Sequence, residues 1–179
     1  MPKFTDHAEM VAALVKPGEA IIQSLTPLKA HLWHMTSCVM GEVAELVQAS
    51  IADDNENFVE ELGDIEFYLE GIRAPLHITR FQDDSAAVNF GLRHLTIEAA
   101  NLFDAVKKHV IYNKELDIKA IETALAGIEN CLNSVRHHSE ITREETIQSN
   151  LDKLNKRYAN GYSDKAAQER ADKAGDNAA

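Results

Sequence analysis

The sequence predicts an all-α protein, a four-helix bundle with an additional C-terminal helical segment. Three observations carry this. Only 4 prolines and 8 glycines interrupt 179 residues, and the good helix formers Ala, Leu, Glu and Lys are frequent. No segment sustains the period-two alternation of a half-buried strand. Two pairs of long helical stretches are each joined by a short polar break, the pattern of antiparallel hairpins.

The elements follow in order. Residues 4–15 read as a short amphipathic helix. A long helix runs over about 27–51, with Thr26 as N-cap and Pro27 in the first turn, where a missing N–H is tolerated. Ala52-Asp53-Asp54-Asn55 is a polar turn. A second long helix covers about 55–73 and stops before Ala74-Pro75, because the residue preceding proline avoids the helical region. Residues 75–82 form a loop. Asp83 or Asp84 then caps a third long helix to about His109, and Tyr112-Asn113 breaks it. A fourth helix covers about 116–137. A fifth, about 142–159, ends at Asn160-Gly161, a C-terminal stop signal. Ser163 caps a last short helix. Residues 1–172 are expected to form a single domain and 173–179 a flexible tail.

A faint internal repeat is present. Gly41-Glu42-Val43-Ala44-Glu45-Leu46 resembles Ile97-Glu98-Ala99-Ala100-Asn101-Leu102, and both precede a turn and a long helix. A duplicated hairpin with one active and one lapsed half explains the match, with Asn101 as a relic of an acid. Chance similarity between two amphipathic helices explains it equally well.

Composition bounds the function. Hydrophobic residues make up 45 % of the chain, which describes a globular protein with a core. Lys plus Arg number 18 and Asp plus Glu 29, for a net charge of −11. Such a chain repels a nucleic-acid backbone, so no nucleic-acid partner is expected. A small polyphosphate remains open if a metal or a local basic cluster offsets the charge. Cys38 and Cys131 lack zinc-type spacing and read as small buried residues of a reducing compartment. Met1-Pro2-Lys3-Phe4 lacks an apolar signal core. No run approaches the roughly 18 apolar residues that span a bilayer. A cytoplasmic protein with no membrane partner is expected.

The chemistry concentrates in two acid pairs. Glu42 and Glu45 lie three residues apart, as do Glu61 and Asp64 within Glu60-Glu61-Leu62-Gly63-Asp64-Ile65. Residues i and i+3 share a helix face. The two helices are joined by a short turn, so they run antiparallel and the pairs can face each other. Val43, Leu46, Val47, Leu62, Ile65 and Leu69 flank them, which places the acids at the edge of an apolar stripe. Four carboxylates there repel unless paired. No Lys or Arg lies between Leu32 and Arg73, so the segment holds no cation for ordinary salt bridges. A hard divalent ion, Mg2+ with Mn2+ as alternative, prefers such oxygen ligands. A di-iron bundle would add Glu-x-x-His pairs, and the chain has none.

These residues resemble a known family. Glu42-x-x-Glu45 followed by Glu61-x-x-Asp64 is similar to the signature of the all-α NTP pyrophosphohydrolases, which include MazG-type enzymes, dimeric dUTPases and dCTP pyrophosphatases. His34, eight residues before Glu42, also matches a position often occupied by His in MazG-like chains. The resemblance covers about residues 30–72. A second match is Asn150-Leu-Asp-Lys153-Leu-Asn-Lys156-Arg157-Tyr158, similar to the closing segment of MazG-like proteins, many of them phage-encoded. The family usually has Pro after Arg-Tyr, where this chain has Ala159.

The resemblance implies a MazG-like bundle that cleaves a nucleoside triphosphate to its monophosphate and pyrophosphate. Mg2+ would be held by Glu42, Glu45, Glu61 and Asp64, and one acid, from the first pair, would accept the proton of the attacking water. Lys153 and Arg157 would neutralise pyrophosphate, with Asn150 and Tyr158 as hydrogen-bonding partners. A solvated helix end, where the dipole favours basic residues, explains the same tail. Trp33 and His34 are expected near the base, against core packing as the plainer role of each. His137-His138 reads as surface. The resemblance also implies a homodimer or homotetramer, in the host cytoplasm if phage-encoded. A phosphoribosyl-ATP pyrophosphohydrolase-like enzyme, or a helical binding or regulatory protein without turnover, are the alternatives.

Overall fold

The computed structural model describes residues 4–81, 90–170 and 172. Among them are eight α-helices and no strand: α1 (His7–Leu14), α2 (Gly18–Ser24), α3 (Pro27–Ala52), α4 (Asn55–Leu76), α5 (Leu92–Tyr112), α6 (Ile118–His138), α7 (Arg143–Arg157) and α8 (Asp164–Glu169). No helix among the described residues is long and apolar enough to cross a membrane.

Local chemistry sets the boundaries. The Thr26 hydroxyl accepts the Lys29 N–H at 3.2 Å, with Pro27 opening α3. Asp53 takes the left-handed conformation that ends α3, and Asp54 at once caps α4 through the Asn57 N–H. This tight reversal makes α3 and α4 an antiparallel hairpin. Asn113, left-handed, ends α5, and Thr142 with Glu145 forms a reciprocal capping box at the start of α7.

Three expectations need correction. The segment 18–24, to which the sequence reading assigns no element, is helical as α2. The fifth expected helix ends at Arg157, two residues early. More instructive is α4, which runs through Pro75 to Leu76 instead of stopping at 73. A proline leaves the carbonyl four residues earlier without its N–H partner. Here that carbonyl, Gly71 O, is bonded by the His31 ring Nε2 at 2.8 Å. A neighbouring helix thus compensates the proline, and α4 continues one more turn. The expected caps Asp83 and Asp84 and the expected tail 173–179 lie outside the described residues; α5 starts instead behind Gly91.

The core is built by apolar residues at alternating spacings of three and four. Val39, Val43 and Leu46 on α3 face Leu62, Ile65, Leu69 and Ile72 on α4 and Leu95, Leu102 and Val106 on α5; Ile121, Ile128 and Leu132 of α6 close the bundle. All are nearly inaccessible to solvent. Burying a side chain of this size contributes about 2 kcal/mol. Helices α3 and α5 pack side by side, each with its own partner, while α4 and α6 meet sparsely.

The α4–α6 edge is held by charges. Arg136 of α6 donates to Glu66 of α4 at 2.6 Å, and Arg73 of α4 donates to Glu129 of α6. All four side chains are buried. Each helix thus carries a Glu seven residues before an Arg and offers both to the other, as a twofold exchange of hairpins would produce. The register extends the sequence match. Leu62, Ile65 and Glu66 correspond to Leu125, Ile128 and Glu129, so Glu61 and Asp64 correspond to Ala124 and Gly127. The α5–α6 half keeps Glu98 but lacks the other three acids. The Glu98 carboxyl lies over Gly127, 2.8 Å from where a Cβ would stand, and Asn101 donates to Glu98 at 3.2 Å. This favours the duplicated hairpin over chance, with Asn101 as the relic.

Glu66 also accepts Arg143 of α7, at 2.9 and 3.0 Å. Burial alone would raise its carboxyl, but the Arg143 hydrogen bonds and the Arg136 and Arg143 charges hold it below the ordinary value. Removing one partner of a buried pair strands the other. Arg136→Ala is expected to lower the free energy of urea unfolding by about 3 kcal/mol, and Glu66→Leu with Arg136→Met to cost far less than the two single changes added.

Candidate functional site

The hairpin turn at Asp53-Asp54 brings one face of α3 opposite one face of α4. Glu42 and Glu45 project from the first and Glu61 from the second, and one oxygen from each lies within 4.8 Å of the others. Three of the four expected acids therefore form a cluster. Asp64 lines the same cleft but stands outside this group. Its carboxylate is taken by α7, with Asn150 Nδ2 donating to Oδ1 at 2.6 Å and Lys153 Nζ to Oδ2. Lys153 also donates to Glu60 at 3.2 Å. The cation missing from the local sequence is thus supplied by a helix far along the chain.

Glycine makes this approach available. A Cβ at Gly63 would stand 2.7 Å from Thr146 O and 2.8 Å from Asn150 Cβ. Any larger residue would push α7 off α4 and move Lys153 away from Asp64.

The electrostatics are those of crowded acids. Glu61 is 7 % exposed. Burial, then the hydrogen bond to Glu42 and the charges of Glu42, Glu45 and Asp64, push its carboxyl up to about 8. Burial also raises Glu42, while the hydrogen bond from Glu61 works the other way. These shifts favour a proton on Glu61, donated to Glu42. Glu61 Oε2 is buried with no hydrogen-bond partner, and among the described residues no salt bridge reaches Glu42, Glu45 or Glu61. Converging carboxylate oxygens, an orphaned buried oxygen and the lack, among the described residues, of a salt bridge to any of the three acids together fit a hard divalent ion.

The cleft has a volume of about 510 Å3. Its lining combines the acids Glu42, Glu45, Glu60, Glu61 and Asp64 with the rings of His34, Phe67, Tyr68, Tyr158 and Tyr162. His34 stands edge-on to Tyr68, with centroids 6.3 Å apart, and Tyr158 lies 5.7 Å from Tyr162. The Tyr68 hydroxyl is held protonated by burial and by its hydrogen bond to Cys38. Arg157 lines the cleft, but its guanidinium grips Asp172 through two hydrogen bonds of 2.6 Å. The Arg157 hydrogen bond holds the Asp172 carboxyl down at about 2.

Sequence reasoning thus placed His34, Glu42, Glu45, Glu61, Asp64, Asn150, Lys153, Arg157 and Tyr158 in or beside one cleft. Trp33 is a correction: it is not among the residues that line the cleft but packs, partly buried, against the core with its ring 4.9 Å from that of Phe103 on α5, the plainer of its two roles. Glu60, Phe67, Tyr68, Tyr162 and Asp172 were missed. Tyr68, one turn beyond Asp64 on the same face, was detectable by spacing alone. Cys131 is buried as expected, and Cys38 is half-buried. His137 and His138 are on the surface.

A larger cavity, about 660 Å3, lies in the second hairpin beside Glu98, Asn101 and Lys108. It has no converging acid cluster among the described residues. Comparison with protein-family models, with curated proteins and with solved structures finds no match.

Glu61 yields a pH signature. Its value in the fold lies above the ordinary 4.5, so its stabilising contribution is present at low pH and lost as pH rises through about 8. With chelator present, the thermal midpoint is expected to fall between about pH 5 and pH 9 by roughly 5 °C more in the wild type than in Glu61→Gln. Equal slopes would contradict the proton on Glu61.

Proposed function

We propose that this chain is a Mg2+-dependent nucleoside triphosphate pyrophosphohydrolase, releasing the monophosphate and pyrophosphate. The observation that carries the reading is the buried, unpartnered Glu61 oxygen in the Glu42–Glu45–Glu61 cluster of a cleft that rings also line. Acids and rings in one cleft suit a substrate that combines a metal-bound polyphosphate with a planar base. The likeness of the two acid pairs to the family signature supports the same reading.

In this reading Glu42, Glu45 and Glu61 hold the ion, and Asp64 borders it. Mg2+ bound there supplies charge neutralisation to the phosphate oxygens and lowers the pKa of a bound water. The chain's own groups do the rest. Glu45, the exposed acid of the first pair, would accept the proton of the attacking water. The water oxygen bonds to the α-phosphorus, the bond to the bridging oxygen breaks, and pyrophosphate leaves. Lys153, paired with Asp64 beside the cleft, and Arg157, which lines it, would meet the charge of the leaving pyrophosphate. His34, Phe67, Tyr68, Tyr158 and Tyr162 offer faces on which a base can stack.

The proposal extends to a homodimer or homotetramer acting in the cytoplasm, the host's if the gene belongs to a phage. Helices α1 and α2 bury none of their residues, and Val11, Leu14, Val15 and Ile22 are exposed. A second subunit covering them would suit such a surface.

The test is pyrophosphate release from a panel of ribo- and deoxynucleoside triphosphates with Mg2+. At least one is expected to turn over. Glu61→Gln and Glu42→Gln are each expected to lower kcat/KM about 100-fold, equivalent to about 3 kcal/mol of transition-state stabilisation. Turnover of no nucleotide would overturn the enzyme and leave a helical binding or regulatory module.

A further inference from the structure

Both oxygens of Asp64 are already engaged by α7, one by Asn150 and the other by Lys153. Glu42 and Glu61 nevertheless lie near enough to feel the Asp64 charge. An ion that recruits Asp64 as well as the triad competes with the Lys153 ammonium for that carboxylate. We propose that Lys153 is a resident counter-cation of the site, exchanged against the divalent ion. It pairs with Asp64 until the ion claims that carboxylate, and is then released into the cleft with Glu60 as its remaining partner. This rests on the divalent-ion part of the proposed function and is independent of which nucleotide is cleaved.

The construction of α7 suits such an exchange. Its buried residues are Thr146 and Asn150, both polar, so no fully buried apolar side chain fixes it to α4. Its ends are tied differently. At the N-terminal end Arg143 grips the buried Glu66 through two hydrogen bonds. In the C-terminal half the tie to α4 is the Asp64 carboxylate, with Glu60 beside it. Loss of Lys153 from Asp64 loosens the second half and leaves the first anchored. Gly63 keeps the helices close enough for the pairing to form at all.

Charge supplies the reason for the device. Four carboxylates lie on facing sides of one hairpin, and Glu60 adds a fifth on α4. A lysine that covers part of this charge lowers the cost of folding before an ion arrives. When the ion takes over, the freed ammonium faces the cleft at the moment a polyphosphate needs a cation. The lysine thus alternates between two anions, the protein's own and the substrate's.

The test uses the full chain and Mn2+ alone. Binding is measured by electron paramagnetic resonance, and amide hydrogen exchange is followed along residues 143–157. In the wild type, Mn2+ is expected to speed exchange at 150–157 by at least about threefold while leaving 143–146 unchanged. Lys153→Met is expected to exchange fast at 150–157 without metal, to show no further increase with it, and to bind Mn2+ at least about tenfold more tightly. Lys153→Arg keeps the pairing and should behave as wild type. Lys156→Met removes the same charge from the same helix without touching Asp64, and its affinity should change less than about threefold.

Three results overturn the proposal: Mn2+ that binds without changing α7 exchange, Lys153→Met binding no more tightly than Lys156→Met, or no Mn2+ binding by any form. Loss of nucleotide turnover with the Mn2+ response intact would instead overturn the pyrophosphohydrolase reading and leave this exchange standing.

Discussion

The structure turns on a buried carboxyl that its surroundings do not satisfy. Glu61 sits against the apolar seam of α3 and α4, hydrogen-bonded to Glu42 and facing Glu45, with one oxygen unpartnered. A protein rarely leaves a buried acid oxygen without a donor, and each nearby acid makes ionising Glu61 harder. Burial and the neighbouring acids raise the Glu61 carboxyl, which favours its protonated form, and Lys153 of α7 pairs with the neighbouring Asp64. Both devices are local answers to excess negative charge. A divalent cation would answer the same excess more completely, and the three converging carboxylates could hold one.

The second hairpin shows what the scaffold looks like without that charge. Helices α5 and α6 follow the register of α3 and α4 and exchange Arg–Glu pairs with them across the α4–α6 edge. Yet Ala124 and Gly127 stand where the first half has Glu61 and Asp64, and Asn101 replaces Glu45. The core spacing is common to both halves and belongs to the fold. The full set of four acids belongs to the first half, while the second keeps Glu98 alone, so the scaffold itself does not require them. The buried ion pairs, by contrast, are shared by both halves and organise the bundle.

Much of this was legible in the sequence because helices announce themselves locally. Thr26-Pro27, Asn113 and Ser163 all end or begin helices as their chemistry directs. The acid pairs were legible for the same reason, since i and i+3 on two helices joined by a short turn leave little freedom. What escaped depends on contacts between distant segments. Helix α4 passes Pro75 because His31 occupies the orphaned Gly71 carbonyl, and no local rule contains His31. The cation for Asp64 and Glu60 comes from α7. Trp33 and His34 are neighbours in sequence but point to different surroundings, and only the position of α5 decides that Trp33 is core. Helical spacing is no guide for Arg157 either, because its partner Asp172 lies beyond a turn and another helix.

The central claim is that α3 and α4 together form a cation pocket. Anomalous diffraction from crystals soaked in Mn2+ tests it most directly. The account predicts a manganese peak within about 2.5 Å of carboxylate oxygens from Glu42, Glu45 and Glu61. Ordered manganese bound elsewhere on the molecule, with these three side chains unmoved and unliganded, would contradict it.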